Sequence, residues 1–279
     1  MSDNDFLAGM AAASRERVLA ARAQASDAEM RALAADTPLP PQLQLSARRF
    51  DLIAEVKFRS PAAGALREGN EESVRARVAG YVEAGAAAVS VLTEPSRFDG
   101  SLQHLESAVR ALAGRIPAMR KDFLVDPYQV CEARLAGAGG VLVIMRMLSD
   151  TEVAALVECA AQLRLFVLLE AFDEADIERA AGVARQYASS TQLLVGVNSR
   201  DLVTLQVVPG RLEQLARLLP DDVPRVAESG VATPADAGRV AVAGYDVALV
   251  GSALMNALEP LQLARAMISS GRNERARRS

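Results

Sequence analysis

The run Asp51-Leu52-Ile53-Ala54-Glu55-Val56-Lys57 decides the fold of this chain. Apolar residues fill its middle, and two charged side chains, Glu55 and Lys57, close it. They stand two apart, so on an extended strand both point to the same side. Similar apolar runs recur at Ala88–Thr93, Pro117–Lys121, Gly140–Arg146, Leu165–Glu170, Gln192–Asn198, Val223–Glu228 and Asp246–Gly251. Near-continuous apolar strands imply burial on both faces, as in a parallel sheet.

Longer segments of helical period separate these runs. They are Glu71–Ala84, Ser101–Ala113, Pro127–Ala136, Asp150–Gln162, Asp173–Ala181, Pro209–Leu219, Pro234–Val242 and Glu259–Ser269. Ser149, Asp126-Pro127 and Thr233-Pro234 supply capping residues or a first-turn proline. Gly85, Gly137, Gly182 and Gly244 are expected to close helices or open the next strand. Strand and helix alternating eight times is the α/β pattern of a (β/α)8 TIM barrel. A doubly wound open sheet is the rival, but it would normally show a glycine-rich turn after its first strand.

The remainder of the chain fits this scheme. A barrel needs about 250 residues, and the chain has 279. Residues 1–50 read as an N-terminal helical extension with a Pro-rich linker. Apolar residues at helical spacing across Leu7–Leu33 indicate one or two helices, and Pro38, Pro40 and Pro41 then stop the helix. Residues 51–270 read as the barrel, and 271–279 as a basic, disordered tail. Hydrophobic residues make up 51% of the chain but aromatic ones only 4%, with no Trp, so aliphatic side chains and Ala must fill the core.

Composition also excludes function classes. A net charge of −4 and so few aromatic residues argue against nucleic acid. No apolar run approaches the length needed to span a membrane. Met1–Asp5 is acidic and lacks the basic start of a signal peptide. Cys131 and Cys159 read as buried thiols rather than a disulfide framework, so a cytoplasmic location is expected.

In a (β/α)8 enzyme the reactive groups stand where strands end at their C-terminal side. Those ends carry Glu55 and Lys57, Thr93 and Glu94, Arg120-Lys121-Asp122, Arg146, Glu170, Asn198 with Arg200, and Glu228-Ser229-Gly230. A single charge there often marks only where the chain meets water. Several following buried runs are a different matter. A charge at the edge of a core costs several kcal/mol unless paired. A ring of Lys and Glu supplies that pairing and shifts pKa values toward acid–base use.

A phosphate in this fold commonly sits in the loops after strands 7 and 8. Ser229-Gly230 and Gly251-Ser252 occupy those loops. Strand 1 adjoins strand 8 on closure, so Ser60 is expected to reach the same anion. His104, the single histidine, falls within a helix away from the strand ends. A His triad or His metal site is therefore not expected, and the interleaved lysines oppose an all-carboxylate metal site.

These strand-end motifs resemble the indole-3-glycerol-phosphate synthase family of tryptophan biosynthesis. The resemblance rests on Ile53-Ala54-Glu55-Val56-Lys57 followed by Ser60-Pro61, Ser90-Val91-Leu92-Thr93-Glu94 and Arg120-Lys121-Asp122-Phe123. It also rests on Gly196-Val197-Asn198-Ser199-Arg200-Asp201-Leu202 and Glu228-Ser229-Gly230. It covers nearly the whole chain. Ala62 departs from the family's usual Ser-Pro-Ser step, and Arg146 stands where variation is expected.

The resemblance implies a carboxy-lyase without cofactor or metal. Its substrate would be a phosphorylated small molecule, 1-(2-carboxyphenylamino)-1-deoxyribulose 5-phosphate. Lys121 would be the general acid and Glu170 the base. Lys57 would contact substrate anions and act as a second acid, and Glu55 would pair with the lysines. Asn198 and Glu228 would complete the catalytic network. Arg200 would meet the anthranilate carboxylate, with Phe98, Phe123, Leu142 and Leu202 as the apolar wall. Ser60, Ser229, Gly230, Gly251 and Ser252 would hold the phosphate. A monomer or weak oligomer is implied, with association with another tryptophan-pathway enzyme left open. The alternatives are another phosphate-binding barrel, such as a sugar-phosphate isomerase, or a barrel that binds a phosphorylated ligand without catalysis.

Overall fold

A computed structural model describes residues 3–47, 50–60, 64–66 and 71–277. Its eight barrel strands are β1 (Asp51–Val56), β2 (Ala88–Leu92), β3 (Ala118–Lys121), β4 (Gly140–Ile144), β5 (Phe166–Ala171), β6 (Leu193–Asn198), β7 (Arg225–Glu228) and β8 (Val247–Val250). Each pairs in parallel with its sequence neighbours, and β8 closes on β1 through Asp51↔Val247 to Ala54↔Val250. The closed (β/α)8 barrel expected from the apolar rhythm is therefore the fold. A short hairpin, Arg59–Ser60 with Gly64–Ala65, projects after β1. Pro61–Ala63 of that loop, and with them Ala62, lie outside the described residues.

Two apolar shells explain why the strands read as continuous hydrophobic runs. Ile53, Met119, Leu142, Leu168, Leu194, Val226 and Val247 fill the barrel interior. Leu52, Ala54, Val89, Val143, Val167 and Val195 face the surrounding helices. Each fully buried Val, Leu or Ile side chain contributes about 1.5–3 kcal/mol.

The extension forms two helices, α1 (Asp3–Arg22) and α2 (Asp27–Asp36). Ser26 and Glu29 cap α2 reciprocally, leaving fewer orphan amides at its first turn. Buried Arg134 donates to Thr37 O at 2.5 Å and Pro38 O at 2.8 Å, fastening the proline linker to the barrel. Ser14 of α1 donates to Phe123 O at 2.6 Å, and Arg17 meets Asp122 at 2.8 Å. The extension is thus docked where β3 ends.

The α-helices that follow among the described residues are α3 (Glu71–Ala84), α4 (Pro95–Phe98), α5 (Leu102–Leu112), α6 (Pro127–Leu135), α7 (Asp150–Gln162), α8 (Glu174–Tyr187), α9 (Arg211–Ala216), α10 (Pro234–Ala243), α11 (Ser252–Asn256) and α12 (Pro260–Ala276). Two expectations need correction. Gly182 does not end its helix, because α8 continues to Tyr187. Nor does a disordered tail begin at 271, since α12 runs on to Ala276. Arg272 pairs with buried Asp51 at 2.7 Å, and Arg275 with Asp246 at 2.9 Å. The basic residues that suggested a solvated tail instead neutralise carboxylates at the starts of β1 and β8. Among the described residues no helix is long and apolar enough to cross a membrane.

Candidate active site

Alternation along the strands raises the site directly above the apolar interior. Glu55 and Lys57 follow Ile53 on the inward side of β1. Lys121 follows Met119, Glu170 follows Leu168, Asn198 follows Leu194 and Gly196, and Glu228 follows Val226. The strand register sets Asn198 beside Glu228 and Glu170 beside Gly196. A cavity of about 290 Å³ opens at this end, and it is lined by every residue given a catalytic, substrate-binding or phosphate-binding expectation, but not by Thr93, Glu94, Arg120 or Arg146.

The polar floor is a charge lattice. Lys57 Nζ lies 2.7 Å from Glu55 Oε1, and Lys121 Nζ lies 3.6 Å from Glu170 Oε1. Asn198 Nδ2 donates to Glu170 Oε1 at 2.9 Å. Asn198 Oδ1 accepts from the Arg200 amide at 3.0 Å, which ties Asn198 to the loop after β6. Burial pushes the Glu55 carboxyl up, but Lys57, Lys121 and Arg200 outweigh it and hold it below the usual range. Burial pulls the Lys121 ammonium down, but Glu170, Glu55 and Glu228 outweigh that and raise it, so it stays protonated at neutral pH. The Arg200 guanidinium is lowered by burial, against the opposing pull of Glu55.

Glu228 differs from its neighbours. It is 1% exposed, and neither carboxyl oxygen meets a hydrogen-bond partner among the described residues. Burial and the Glu170 charge push its carboxyl well above the usual range, with Lys121 opposing. Carboxylates this crowded do not all ionise together. The site therefore offers a proton-rich Glu228 beside a Glu170 held by an ammonium and an amide.

Phe98, Phe123, Leu142 and Leu202 line the apolar side of the cavity. Phe6 and Leu7 of α1 also line it, and sequence reading missed them. Phe6 packs edge-on against Phe123 at 6.1 Å, and Phe98 meets Phe123 at 6.2 Å. Helical spacing in the extension signalled an apolar face but not where it docks. Ile144 and Phe172 complete the wall.

The expected anion residues lie in the neighbouring loops after β7, β8 and β1. The turn after β7 uses two consecutive left-handed residues, Ser229 at φ 63° and Gly230 at φ 71°. Such a conformation is uncommon for serine and often marks a functional turn. Gly251 does more than leave its backbone open. A Cβ there would overlap Glu55 Oε1 and come within 3.0 Å of Lys57 Nζ.

Other strand-end residues have supporting roles. Glu94 caps α4 by accepting from Ser96 and Arg97 amides. Thr93 donates to Asp122 at 2.7 Å, and Arg120 reaches Thr93, Gln129, Glu132 and Asp122. This brace holds the segment on which Lys121 stands. Arg146 pairs with Asp176 at 2.8 Å and Asp173 at 2.5 Å over the Phe172 ring, and it does not line the cavity. His104 packs edge-on against Phe58, with centroids 4.9 Å apart. Cys131 and Cys159 are free, buried thiols 3.8 Å apart.

Solved structures confirm the architecture. The chain resembles 3-hexulose-6-phosphate synthase from Salmonella typhimurium with TM-score 0.62, at 15% identity, over 80% of this chain and 99% of that one. It resembles thiamine phosphate pyrophosphorylase from Pyrococcus furiosus with TM-score 0.57, at 18% identity, over 82% and 99%. These likenesses speak for the fold alone.

Sequence relatives are more specific. An indole-3-glycerol phosphate synthase from a Nocardioides species is 42% identical over 95% of this chain and 96% of its own. One from a Parafrankia species is 43% identical over 81% of each. The isomerase and non-catalytic alternatives gain nothing from such relatives. A family model for indole-3-glycerol phosphate synthase matches residues 7–267, from within α1 through every barrel strand and the charge lattice, so the chain belongs to that family.

Proposed function

We propose that this barrel is a carboxy-lyase that converts 1-(2-carboxyphenylamino)-1-deoxyribulose 5-phosphate to indole-3-glycerol phosphate, carbon dioxide and water. The observation that carries the reading is the Lys121–Glu170–Asn198 cluster, with contacts of 3.6 and 2.9 Å, at the base of a half-apolar cavity. It provides a fixed acid and a fixed base within one substrate's reach.

The aryl carbon bearing the carboxylate attacks the ketone carbon and forms the new ring bond. The carbonyl electron pair moves to oxygen, which takes a proton from Lys121. The ammonium also stabilises the negative charge as it develops. The bond to the carboxylate then breaks, its electron pair restores the aromatic ring, and carbon dioxide leaves. Glu170 next removes a proton from the carbon adjacent to the new hydroxyl-bearing centre. Lys57 protonates that hydroxyl, and water departs as the indole double bond forms. No step calls for a metal or cofactor.

Arg200 binds the anthranilate carboxylate, and the wall from Phe6 to Leu202 sandwiches the ring. Ser60, Ser229, Gly230, Gly251 and Ser252 hold the phosphate. Clamping both ends of the substrate brings the reacting carbons together, itself a large contribution to rate. Free Cys131 and Cys159 thiols suit a reducing cytoplasm. The test is to mix the purified protein with the substrate and follow indole fluorescence. Product is expected from wild type and not from Lys121→Ala; no product from wild type overturns the reading.

A further inference from the structure

Gly196 lies on β6, facing inward between Leu194 and Asn198. Its strand partner is Glu170 on one side and Val226 on the other, so it sits beneath the site and not in it. It does not line the cavity. Its backbone does not have positive φ, so conformational freedom does not explain a glycine in this strand. Glycine within a strand costs stability through entropy and lost packing. What a side chain would meet there is informative. A Cβ would overlap Glu228 Oε1, lie 3.2 Å from Glu228 Cδ and lie 3.0 Å from Leu168 Cδ1.

We propose that Gly196 is a positioning residue, whose missing side chain makes the slot that seats the Glu228 carboxyl beside Glu170 and Lys121. This inference rests on the proposed reaction, in which Glu228 belongs to the catalytic network. The Glu228 side chain reaches from β7 across β6, over the place a Cβ would fill. The slot leaves the carboxyl 1% exposed and without a hydrogen-bond partner among the described residues. Glu170, Lys121 and Glu55 are the charged groups that act on it there. A buried carboxyl crowded by Glu170 and not satisfied by a donor is expensive, and the slot is what fixes its place.

The contact pattern separates seat from scaffold. The closest atom to the missing Cβ is the far end of a flexible side chain, which can swing away. Leu168 needs to give only slightly. Gly196→Ala is therefore expected to keep the barrel but displace the carboxyl, which at about 1 Å of misplacement costs roughly a hundredfold in turnover.

The experiment compares wild type, Gly196→Ala, Glu228→Ala and the double variant by steady-state kinetics and thermal melting. Wild-type product formation tests the reaction itself, so failure of that reading is seen separately. The expected result is a large fall in kcat for Gly196→Ala with little change in KM, and no further fall when it is added to Glu228→Ala. Gly196→Ala with Glu228→Asp, which withdraws the carboxyl by one methylene, should exceed Gly196→Ala in kcat. Unchanged kcat in Gly196→Ala, or an equal penalty in both backgrounds, would overturn the proposal. Loss of folding that Glu228→Ala relieves would support it. Loss that Glu228→Ala does not relieve would overturn it, because the clash would then lie with the barrel.

Discussion

Lys121 Nζ stands 3.6 Å from Glu170 Oε1, and the two groups come from strands that are not neighbours: β4 lies between them. The pair therefore spans the barrel mouth instead of following one seam. Glu170 is held from its other side by Asn198 at 2.9 Å, while Glu55 and Glu228 add to the field that keeps Lys121 charged. An ammonium so placed can donate a proton to a substrate oxygen and be recharged within the same lattice.

Glu170→Gln keeps the shape and the Asn198 contact but removes the base. Turnover is expected to fall by roughly 10²–10⁴-fold, the usual contribution of a positioned acid or base. Substrate affinity, measured by equilibrium titration, should hold. Unchanged turnover would remove Glu170 from its role.

Glu228 links activity to stability. Its folded-state pKa is raised, chiefly by burial and by Glu170. The native state thus binds more protons than the unfolded chain once pH exceeds about 4.3, the unperturbed Glu value. Stability attributable to this group therefore falls as pH rises from there toward the folded-state pKa. Glu228→Gln should lack that fall and be more stable than wild type at neutral pH, while losing turnover. Urea midpoints at pH 5 and pH 8 measure the difference between the two slopes.

Glu55 has the opposite signature, and Lys121 the same one in a more alkaline window. The Glu55 pKa is lowered, so its stabilisation is present above about 4.3 and lost as pH falls through the folded-state value. The Lys121 pKa is raised, so its stabilisation is complete below about 10.4 and lost as pH climbs beyond. In Lys121→Met, Glu170 and Glu228 lose the Lys121 charge that offsets their mutual repulsion, while Lys57 still neutralises Glu55. The alkaline loss should vanish in this variant, and neutral-pH stability should drop. Thermal melts from pH 6 to pH 11 follow both changes.

Arg200→Met removes the proposed partner of the anthranilate carboxylate. Charge-assisted hydrogen bonds contribute about 1.5–3 kcal/mol, so KM should rise on the order of tenfold or more. A variant with wild-type KM would place that carboxylate elsewhere.

Arg272→Ala tests the C-terminal helix. It leaves buried Asp51 without its 2.7 Å partner, although the Ser46 amide still donates to that carboxylate. A cost of about 2 kcal/mol is expected for this partly exposed pair, read as a lower urea midpoint with KM unchanged.

The barrel was legible because burial on two faces writes itself into each strand. Glu55 and Lys57 were legible because a two-residue spacing puts both on one side of β1. Other features depend on distant contacts. Phe6 and Leu7 reach the cavity only because Ser14 and Arg17 dock α1 on the loop carrying Phe123 and Asp122. The C-terminal arginines looked solvated until Asp51 and Asp246 appeared beside them. Gly182 reads as a helix stop, but nothing lies within 4 Å of where its Cβ would be, so α8 runs through it at the modest cost of one helical glycine. Arg146 reads as a strand end, yet it stands in the turn after β4, where Asp173 and Asp176 pair with it.

The most direct test of the central claim uses substrate labelled in its carboxylate carbon. Wild type should release one labelled carbon dioxide for each indole-3-glycerol phosphate formed, and Lys121→Ala should release neither at an appreciable rate. Indole formation without matching labelled carbon dioxide, or equal release by wild type and Lys121→Ala, would contradict the account.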